Sequence, residues 1–318
     1  MQSRSPRILV VGSVNTDLVV RVPTIPRPGE TVIGGTFTSV GGGKGANQAV
    51  AAARAGGQVG FVGRIGADAM GDAATAALRA EGIDTSCLTR DPSAPSGVAL
   101  ILVDERGENS IAVAPGANDG LRPEHIDAAR SLIDHADVLL IQLEIPLETV
   151  IHAVALAEAA EVPVILNPAP ARPLPDDLLR RIAILTPNET EAAVLTNEPV
   201  TDEEAAAGSA RRLLARGPTG VVVTLGRRGS LVVTAQIDER VPAVPLAAVD
   251  TVAAGDIFNG CLAVAIAEGR DLPAAIRFAT AAAGISVTRH GAQASAPLRA
   301  EIEALLERRA AGSRSPRT

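Results

Sequence analysis

Short apolar runs rich in Val and Ile alternate along this chain with longer Ala-rich segments, and this alternation constrains the fold more than any other feature. A run that is apolar at every position is typical of a strand buried on both faces, as the strands of parallel sheets are. Such sheets need helical crossovers, which the Ala-rich segments can supply. We therefore predict an α/β fold with a central, mostly parallel sheet and helices on both faces. The predicted strands cover residues 7–11, 59–62, 138–141, 164–166, 183–185 and 221–225.

Two segments, 18–40 and 96–115, break this alternation, because turn residues rather than helical patterns separate their extended stretches. We predict that they form a small β-sheet outside the main one, although an edge hairpin would give the same pattern. The chain from 7 to 310 is predicted to be one α/β domain with these strands inserted. The terminal segments 1–6 and 311–318 are rich in Ser, Arg and Pro and are predicted to be disordered.

Composition excludes several classes of partner. A formal net charge of −7 argues against binding to nucleic acid or to an anionic membrane, since both select for basic patches. No apolar stretch approaches the roughly 18 residues that span a bilayer, and residues 1–17 lack a signal-peptide pattern, so we expect a cytoplasmic protein. Cys87 and Cys261 are predicted to be buried thiols. Without Trp or Tyr, any nucleotide base must occupy an aliphatic slot.

A turn of small residues precedes a predicted helix at 257–269. In this turn Ala253, Ala254 and Gly255 let backbone N–H groups converge on an anion, which the helix dipole also favours. A phosphate would fit such a nest. Asp256 follows at once, and a carboxylate beside a transferring phosphoryl group can accept the proton of an alcohol. Asp256 could alternatively be an ordinary first-turn acid that complements the helix dipole.

A second Gly-rich element, at 41–49, also leads into a predicted helix. It is not a Walker-type phosphate loop, because Lys44 is followed by Gly45 rather than by Ser or Thr, and it is not a dinucleotide fingerprint. Its glycines allow a ligand to approach the backbone, and Lys44 and Asn47 offer donors suited to sugar hydroxyls. The alternative is a flexible turn without a ligand.

Polar residues follow several of the predicted strands. Asn15, Glu144, Asn188 and Gly226 each come shortly after one, so parallel strands would bring them to one edge of the sheet, where ligands bind in such folds. Asp17 lies two residues beyond Asn15, and on an extended segment both side chains share a face that could hold vicinal hydroxyls. Glu144 could instead be a helix-start acid.

Asn188 and Glu191 are three residues apart at the start of a predicted helix. They could organise a hydrated Mg²⁺ ion, which keeps several of its waters and takes few protein ligands. The same spacing is also that of a capping box, in which each side chain accepts from the backbone of the other residue. Both interpretations are compatible.

Six motifs together resemble the PfkB-type carbohydrate kinase family, and the resemblance extends from about residue 7 to about residue 308. The motifs lie at residues 12–17, 28–31, 42–49, 167–170, 186–191 and 250–256. The strings at 167–170 and 42–49 point more narrowly to the branch of the family that phosphorylates ribose. The resemblance implies ATP-dependent transfer of phosphate to the 5-hydroxyl of D-ribose. The alternatives are a kinase of another small sugar or nucleoside, and a non-catalytic sugar-binding regulator.

The resemblance assigns roles residue by residue, with Asp256 as the catalytic base. It implies a sugar site made of Asn15, Thr16, Asp17, Gly43, Lys44, Gly45, Ala46, Asn47, Glu144 and Asp256. It implies an ATP site made of Asn188, Thr224, Leu225, Gly226, Arg227, Arg228, Gly229, Gly255, Asp256 and Thr280, with the anion nest at Ala253, Ala254 and Gly255. Mg²⁺ accompanies the ATP, with Glu191 acting through water.

The resemblance also implies an activating K⁺ ion and a homodimer in which the small sheet, acting as a lid over the sugar, packs against its copy. The K⁺ ligands would be Asp250, Val252, Ser286, Arg289, Gly291 and Ser295. Asp250 could instead cap a helix. This chain departs from the family at Ile257, where relatives usually have Thr, and at Thr280, where they place a nucleotide-contacting His. None of the four histidines is a catalytic candidate.

Overall fold

A nine-stranded sheet forms the centre of the computed structural model, which describes residues 4–312. Strands β1 to β7 are Arg7–Val11, Asn15–Arg21, Thr36–Gly42, Gln58–Gly66, Asp84–Asp91, Gly97–Val103 and Asn109–Ala114. Strands β8 to β13 are Val138–Ile141, Val164–Leu166, Ile184–Leu185, Gly220–Thr224, Ser230–Thr234 and Asp238–Val241. The central sheet has the order β13-β12-β11-β10-β9-β8-β1-β4-β5. It is parallel from β11 to β5, and only β12 and β13 join it antiparallel.

Helices cover both faces of this sheet. Helices α1 to α6 are Lys44–Arg54, Ala69–Ala80, Pro123–Ala128, Arg130–His135, Leu147–Ala159 and Asp176–Leu179. Helices α7 to α11 are Glu189–Thr196, Glu203–Ala215, Ala254–Ala267, Leu272–Ser286 and Arg299–Gly312. Within the described residues no helix is long and apolar enough to cross a membrane.

The apolar character of the strands follows from their burial on two sides. Along β1, Ile8 and Val10 belong to one core cluster, which includes α1 and α9, while Leu9 and Val11 belong to the cluster on the opposite face. Successive strand residues point to opposite faces, so a strand between two helical layers must be apolar at every position. The predicted α/β architecture is confirmed.

A separate four-stranded sheet of order β3-β2-β6-β7 lies beside the central sheet, as the segments 18–40 and 96–115 predict. Strand β2 pairs antiparallel with β3 and parallel with β6. Part of this small sheet is apolar and exposed: Phe37, Leu100, Ile111 and Val113 retain 62%, 56%, 54% and 51% of their accessible surface.

Several local features differ from the prediction. Helix α9 begins at Ala254 rather than at 257, because Ala253 adopts a left-handed conformation (φ 58°) that ends the preceding turn. Cys261 is buried as expected, but Cys87, on the edge strand β5, is only partly buried. The last helix extends to Gly312, two residues into the predicted disordered tail. The rest of that tail, and residues 1–3, lie outside the described residues.

Candidate functional site

The carboxyl ends of the parallel strands bring the predicted site residues together. Asn188, after β10, bridges to Thr224 at the end of β11. Glu144, after β8, accepts hydrogen bonds from Ser13 after β1 (2.6 Å) and from the backbone N–H of Lys44 (3.0 Å). The β2 strand begins directly beyond this edge, so the small sheet projects from the site that the central sheet forms.

Asp256 lies in the first turn of α9 and its side chain is buried. Its Oδ2 accepts from Asn47 Nδ2 at 3.0 Å, and its Oδ1 accepts from Gln48 Nε2 at 3.0 Å. Burial raises the pKa of Asp256, although Lys44 and the two amides act in the opposite direction. The carboxylate is therefore held in a fixed orientation and has a stronger affinity for a proton than an exposed aspartate has.

Lys44 is the cation around which the carboxylates gather. Burial acts to lower the pKa of Lys44, but Asp256, Glu144, Glu191 and Asp17 outweigh it, so the pKa is raised and the ammonium persists. Burial, together with Glu144 and Asp256, raises the pKa of Asp17 to about 6. The site thus combines one ammonium with an excess of carboxylates, an environment suited to several hydroxyl donors.

The Gly-rich start of α1 approaches the end of β1 closely. Gly43 has φ 87°, which side-chain-bearing residues rarely adopt. A Cβ on Gly45 would lie 2.6 Å from the backbone nitrogen of Ser13, so only glycine fits there. Ala46 continues this contact, because its N–H donates to the carbonyl of Ser13 at 2.9 Å. Gly43, Gly45 and Ala46 thus bring the backbone at the start of α1 close to the end of β1. The side chains of Lys44 and Asn47 extend from this part of the helix.

Asn15 and Asp17 lie on the same face of β2, as their spacing predicts, whereas Thr16 between them faces the other side of that strand. The amide of Asn15 is oriented by Asn118, whose Nδ2 donates to Asn15 Oδ1 at 2.8 Å. Asn118 also exchanges hydrogen bonds with the backbone of Val14. The Asn15 Nδ2 group is therefore left as a donor. Sequence reasoning missed Asn118, which belongs to no motif and lies about a hundred residues from its partners.

A cavity of about 880 Å³ opens beside the anion nest. It is lined by residues of the Thr224 turn, of the connection 243–251, of the first turn of α9 and of α10. Ala254 and Gly255 are among the lining residues, and the first N–H groups of a helix have no acceptor within that helix. The Ala254 N–H makes a long hydrogen bond to the carbonyl of Thr251 at 3.3 Å. Most of the remaining lining is aliphatic, and Phe258 is its one aromatic residue. This lining is compatible with the expected aliphatic base slot, which stays a prediction.

The segment from Thr224 to Gly229 forms one wall of this cavity. Leu225 donates to the carbonyl of Gly229 at 2.7 Å, which closes the turn. Arg227 is exposed and lines the cavity, whereas Arg228 forms an ion pair with Glu189. Of the two arginines, only Arg227 is thus left without an ion pair among the described contacts.

Thr280, on α10, also lines the cavity. Its Oγ1 is buried and has no hydrogen-bond partner among the described residues. A buried hydroxyl without a partner is costly unless a ligand or water satisfies it. The threonine therefore offers the cavity one hydrogen-bonding group.

Asn188 and Glu191 form the capping box that their spacing allows. Glu191 N–H donates to Asn188 Oδ1, and Asn188 N–H donates to Glu191 Oε2, both at 2.8 Å. Burial raises the pKa of Glu191, while its bond with Asn188 and the charge of Lys44 act to lower it. The box uses one carboxylate oxygen, so the other could still accept from a water.

The connection before α9 meets the connection after α10. The carboxylate of Asp250 accepts from Val252 N–H and from Gly291 N–H, both at 3.0 Å, so it closes a loop rather than capping a helix. Arg289 directs its guanidinium to Glu301, which leaves only its backbone for the loop. Ser286 and Ser295 each donate their hydroxyl to a backbone carbonyl. The described residues contain no cluster of three or more His, Cys, Asp or Glu suited to a metal ion.

Comparison with known proteins gives one consistent result. The family model for pfkB family carbohydrate kinases matches residues 5–299. The ribokinase of Bacillus subtilis is 44% identical over 94% of this chain and 99% of its own length. The deoxyribokinase of Salmonella typhi is 39% identical over 91% of this chain and 95% of its own. The structure of Arabidopsis thaliana ribokinase complexed with ribose and ATP aligns with a TM-score of 0.89 at 35% identity, covering 96% of this chain and 99% of that one.

Proposed function

Because the chain belongs to the pfkB family of carbohydrate kinases, we infer that it transfers the γ-phosphate of ATP to the 5-hydroxyl of D-ribose, giving D-ribose 5-phosphate and ADP. The observation that carries this inference is the position of Asp256. Its buried carboxylate is next in sequence to Gly255 of the nest, and it also faces Lys44 and Asn47 of the Gly-rich helix start. One group thus lies between an anion-binding turn and a hydroxyl-binding pocket.

We propose that Asp256 is the general base. As the bond from the sugar oxygen to phosphorus forms and the bond from phosphorus to ADP breaks, Asp256 takes the proton of the 5-hydroxyl. The raised pKa helps this step, because a more basic carboxylate accepts a proton more readily. Asn47 and Gln48 fix both oxygens, so little reorientation is needed. A factor of about 10² to 10⁴ in rate is the usual worth of such a base.

The sugar pocket is proposed to consist of the acidic groups and donors around Lys44. Asp17 has no hydrogen bond among the described contacts and is well placed to accept from two hydroxyls. Asn47 Oδ1 is buried and has no partner among the residues that the structure describes, while Nδ2 of the same amide donates to Asp256. A sugar hydroxyl would satisfy this oxygen. Glu144 keeps its Oε1 for the same purpose, because Ser13 and Lys44 both bind Oε2.

The 880 Å³ cavity is the proposed ATP site, with the triphosphate directed at the nest. The N–H groups at the start of α9 would stabilise charge on the transferring phosphoryl group. Mg²⁺ accompanies ATP in phosphoryl transfer, and when bound it neutralises phosphate charge. Glu191 fits a role in holding its water shell, because the capping box with Asn188 uses only Oε2 and a carboxylate oxygen is a hard ligand.

We also propose a monovalent cation site in the loop that Asp250 closes. Its ligands would be the carboxylate of Asp250, the carbonyl of Val252 and the backbone or hydroxyl oxygens of Ser286, Arg289, Gly291 and Ser295. The donor set fits K⁺, since it consists of oxygens, and backbone carbonyls suit that ion. The hydrogen bond from Gly291 to Asp250 holds the two halves of the loop together.

A homodimer through the small sheet is a further proposal. Ile111 and Val113 lie on the face of this sheet that carries Asp17, whereas Phe37 and Leu100 lie on the opposite face. The exposed apolar side chains of Phe37 and Leu100 support the proposal, because large apolar residues exposed together are typical of interfaces. A second copy of this chain would cover them. A cytoplasmic location remains a prediction from the sequence.

The experiment that tests the function is ADP release by the purified chain with ATP and Mg²⁺. Acceptors would be D-ribose, 2-deoxyribose, fructose and adenosine, each with and without K⁺, and Asp256→Asn would serve as the matched control. Greatest turnover with ribose is the expected result. Preference for 2-deoxyribose would move the chain toward the deoxyribokinase relative, and preference for adenosine toward nucleoside kinases. Ribose binding without ADP release from any acceptor would indicate a non-catalytic regulator.

A further inference from the structure

A chain of buried side-chain amides continues from Gln48, which binds Asp256, into the core, and the proposed reaction assigns no role to the members beyond Gln48. Gln48 and Gln142 are both fully buried. Gln142 Nε2 donates to Gln48 Oε1 at 2.5 Å, and Gln48 Nε2 donates both to Asp256 Oδ1 at 3.0 Å and to Asn167 Oδ1 at 3.1 Å. Every polar atom of the Gln48 amide therefore has a protein partner.

We propose that Gln48 and Gln142 are positioning residues for Asp256: the Gln142 amide fixes the orientation of the Gln48 amide, so that Gln48 presents its N–H to the carboxylate. An amide can rotate to exchange its oxygen and nitrogen, and only its partners decide between the two states. Gln142 Nε2 donates to Gln48 Oε1. If the Gln48 amide rotated by half a turn, its NH₂ group would face the NH₂ group of Gln142, and its oxygen would face the carboxylate of Asp256.

The far side of Gln142 supports this directional role. Its Oε1 is buried, has no hydrogen-bond partner within residues 4–312 and packs against Gly12, where an added Cβ would lie 2.1 Å away. A buried amide with an unsatisfied oxygen costs stability. Leu or Met at position 142 would avoid this cost. The structure retains the amide, and the Nε2 bond to Gln48 is the contact that it provides.

The hydrogen bond from Gln48 to Asn167 continues the network toward the start of α9. Asn167, which accepts from Gln48, donates through Nδ2 to the carbonyl of Thr186 at 3.1 Å. Thr186 Oγ1 donates to Asn259 Oδ1 at 2.6 Å, and Asn259 Nδ2 donates to the carbonyl of Gly255 at 2.8 Å. The amides that orient the carboxylate are thus linked to the turn that precedes it, so nest and base are held as one unit.

Charged groups around Asp256 set the background for a pH test. Lys44 from α1 lowers the pKa of Asp256, while Glu144 after β8 raises it. Asp17 from β2 and Glu191 from α7 also interact with Asp256 electrostatically. Changing Gln48 or Gln142 to Met alters none of these charges. A shift in the pH profile of such variants would therefore report the lost hydrogen bond to the carboxylate.

The test measures kcat, the KM for ribose and the pH profile of kcat for Gln48→Met, Gln142→Met and the double variant. It rests on the proposed kinase activity, so the wild-type protein must first turn over. In Gln48→Met we expect the acid limb of kcat to move up by about one pH unit, because a bond that favours the ionised carboxylate is lost. The KM should change less than threefold. In Gln142→Met we expect a smaller move in the same direction.

The double variant distinguishes positioning from a general packing defect. If Gln142 acts through Gln48, adding Gln142→Met to Gln48→Met should change kcat less than twofold. Gln58→Met, the same change at an exposed position on β4, is the matched control and should behave as wild type. The proposal would be overturned if the acid limb of kcat in the single variants coincided with that of wild type. It would also be overturned if the loss of kcat in the double variant equalled the product of the two single losses. If Gln48→Met does not fold, the acid limb of kcat in Gln142→Met alone decides whether the proposal holds. No turnover by wild type would instead refute the proposed function.

Discussion

Asp17→Asn should stabilise the ligand-free protein while it weakens sugar binding. Asp17 is 9% exposed, and its pKa is raised from 3.8 to about 6 by burial and by the neighbouring carboxylates Glu144 and Asp256. Its ionised form is therefore less stable in the folded site than in the unfolded chain. At 1.36 kcal/mol per unit, this rise corresponds to roughly 3 kcal/mol of destabilisation at neutral pH. Asparagine has a similar shape and no charge to confine.

The pH dependence gives the prediction its sign. Because the folded pKa of Asp17 is raised, the folded protein binds more protons than the unfolded chain between pH 3.8 and about 6. The contribution of this group to stability is therefore highest below pH 3.8 and is lost as the pH rises through 6. The increase in the free energy of unfolding caused by Asp17→Asn should therefore reach its maximum at pH 8 and be about half as large at pH 5, from the same linkage relation.

The assay is urea unfolding of wild type and Asp17→Asn at pH 5 and pH 8 without ribose or ATP, followed by the KM for ribose at pH 8. At pH 8 we expect the free energy of unfolding of the variant to exceed that of wild type by about 1–3 kcal/mol, allowing for relaxation of the site. We expect its KM for ribose to be raised at least tenfold. Asp238→Asn, at an exposed surface pair with Arg211, controls for charge removal and should change the free energy of unfolding by less than about 0.5 kcal/mol. A variant less stable than wild type at pH 8, or an equal gap at both pH values, would refute the reasoning.

Four other changes test separate parts of the proposal. Asp256→Asn should lower kcat by about 10² to 10⁴ with ribose and ATP still bound, and calorimetry showing binding beside near wild-type turnover would remove it from the mechanism. Asp250→Ala should lower turnover in K⁺ to the K⁺-free level, whereas undiminished activation would place the cation elsewhere. Leu100→Lys should convert a dimer into monomers in sedimentation, and an unchanged mass would exclude this surface as the interface. Gly45→Ala should cost roughly 1–3 kcal/mol in chemical unfolding, because its Cβ would overlap the backbone of Ser13; wild-type stability would show that the contact relaxes freely.

The sequence predicts the architecture well because strands buried on both faces are apolar at every position, and such runs can be recognised directly in the sequence. The runs at 7–11, 138–141 and 164–166 coincide with β1, β8 and β9 residue for residue. The weaker cases are those where geometry rather than hydrophobicity ends an element. The left-handed turn at Ala253 moves the start of α9, and no pattern of apolar residues encodes a left-handed alanine.

The grouping of the candidate site residues was predictable where they lie in local motifs, and it was hidden where it depends on distant contacts. The Gly-rich start of α1 and the Asp256 turn are short strings, and hydrogen bonds from Asn47 and Gln48 to Asp256 join them. Gln142 follows an apolar strand without any motif, and its partner Gln48 is 94 residues away in the chain. Asn118 likewise contacts Asn15 from 103 residues away. Such amides can be identified only after the fold has brought them together.

The structure places destabilising charge where the chemistry needs it and surrounds that charge with rigid contacts. Lys44 faces four carboxylates, three of which, Asp17, Glu191 and Asp256, have raised pKa values. Repulsion within such a set would push a flexible site apart. The close approach of Gly45 to Ser13 and the amides that hold Asn15 and Asp256 prevent this. Hydroxyl donors on an arriving sugar would then relieve a strain that the free protein cannot relieve by moving, which favours binding of a polyhydroxylated ligand over an apolar one.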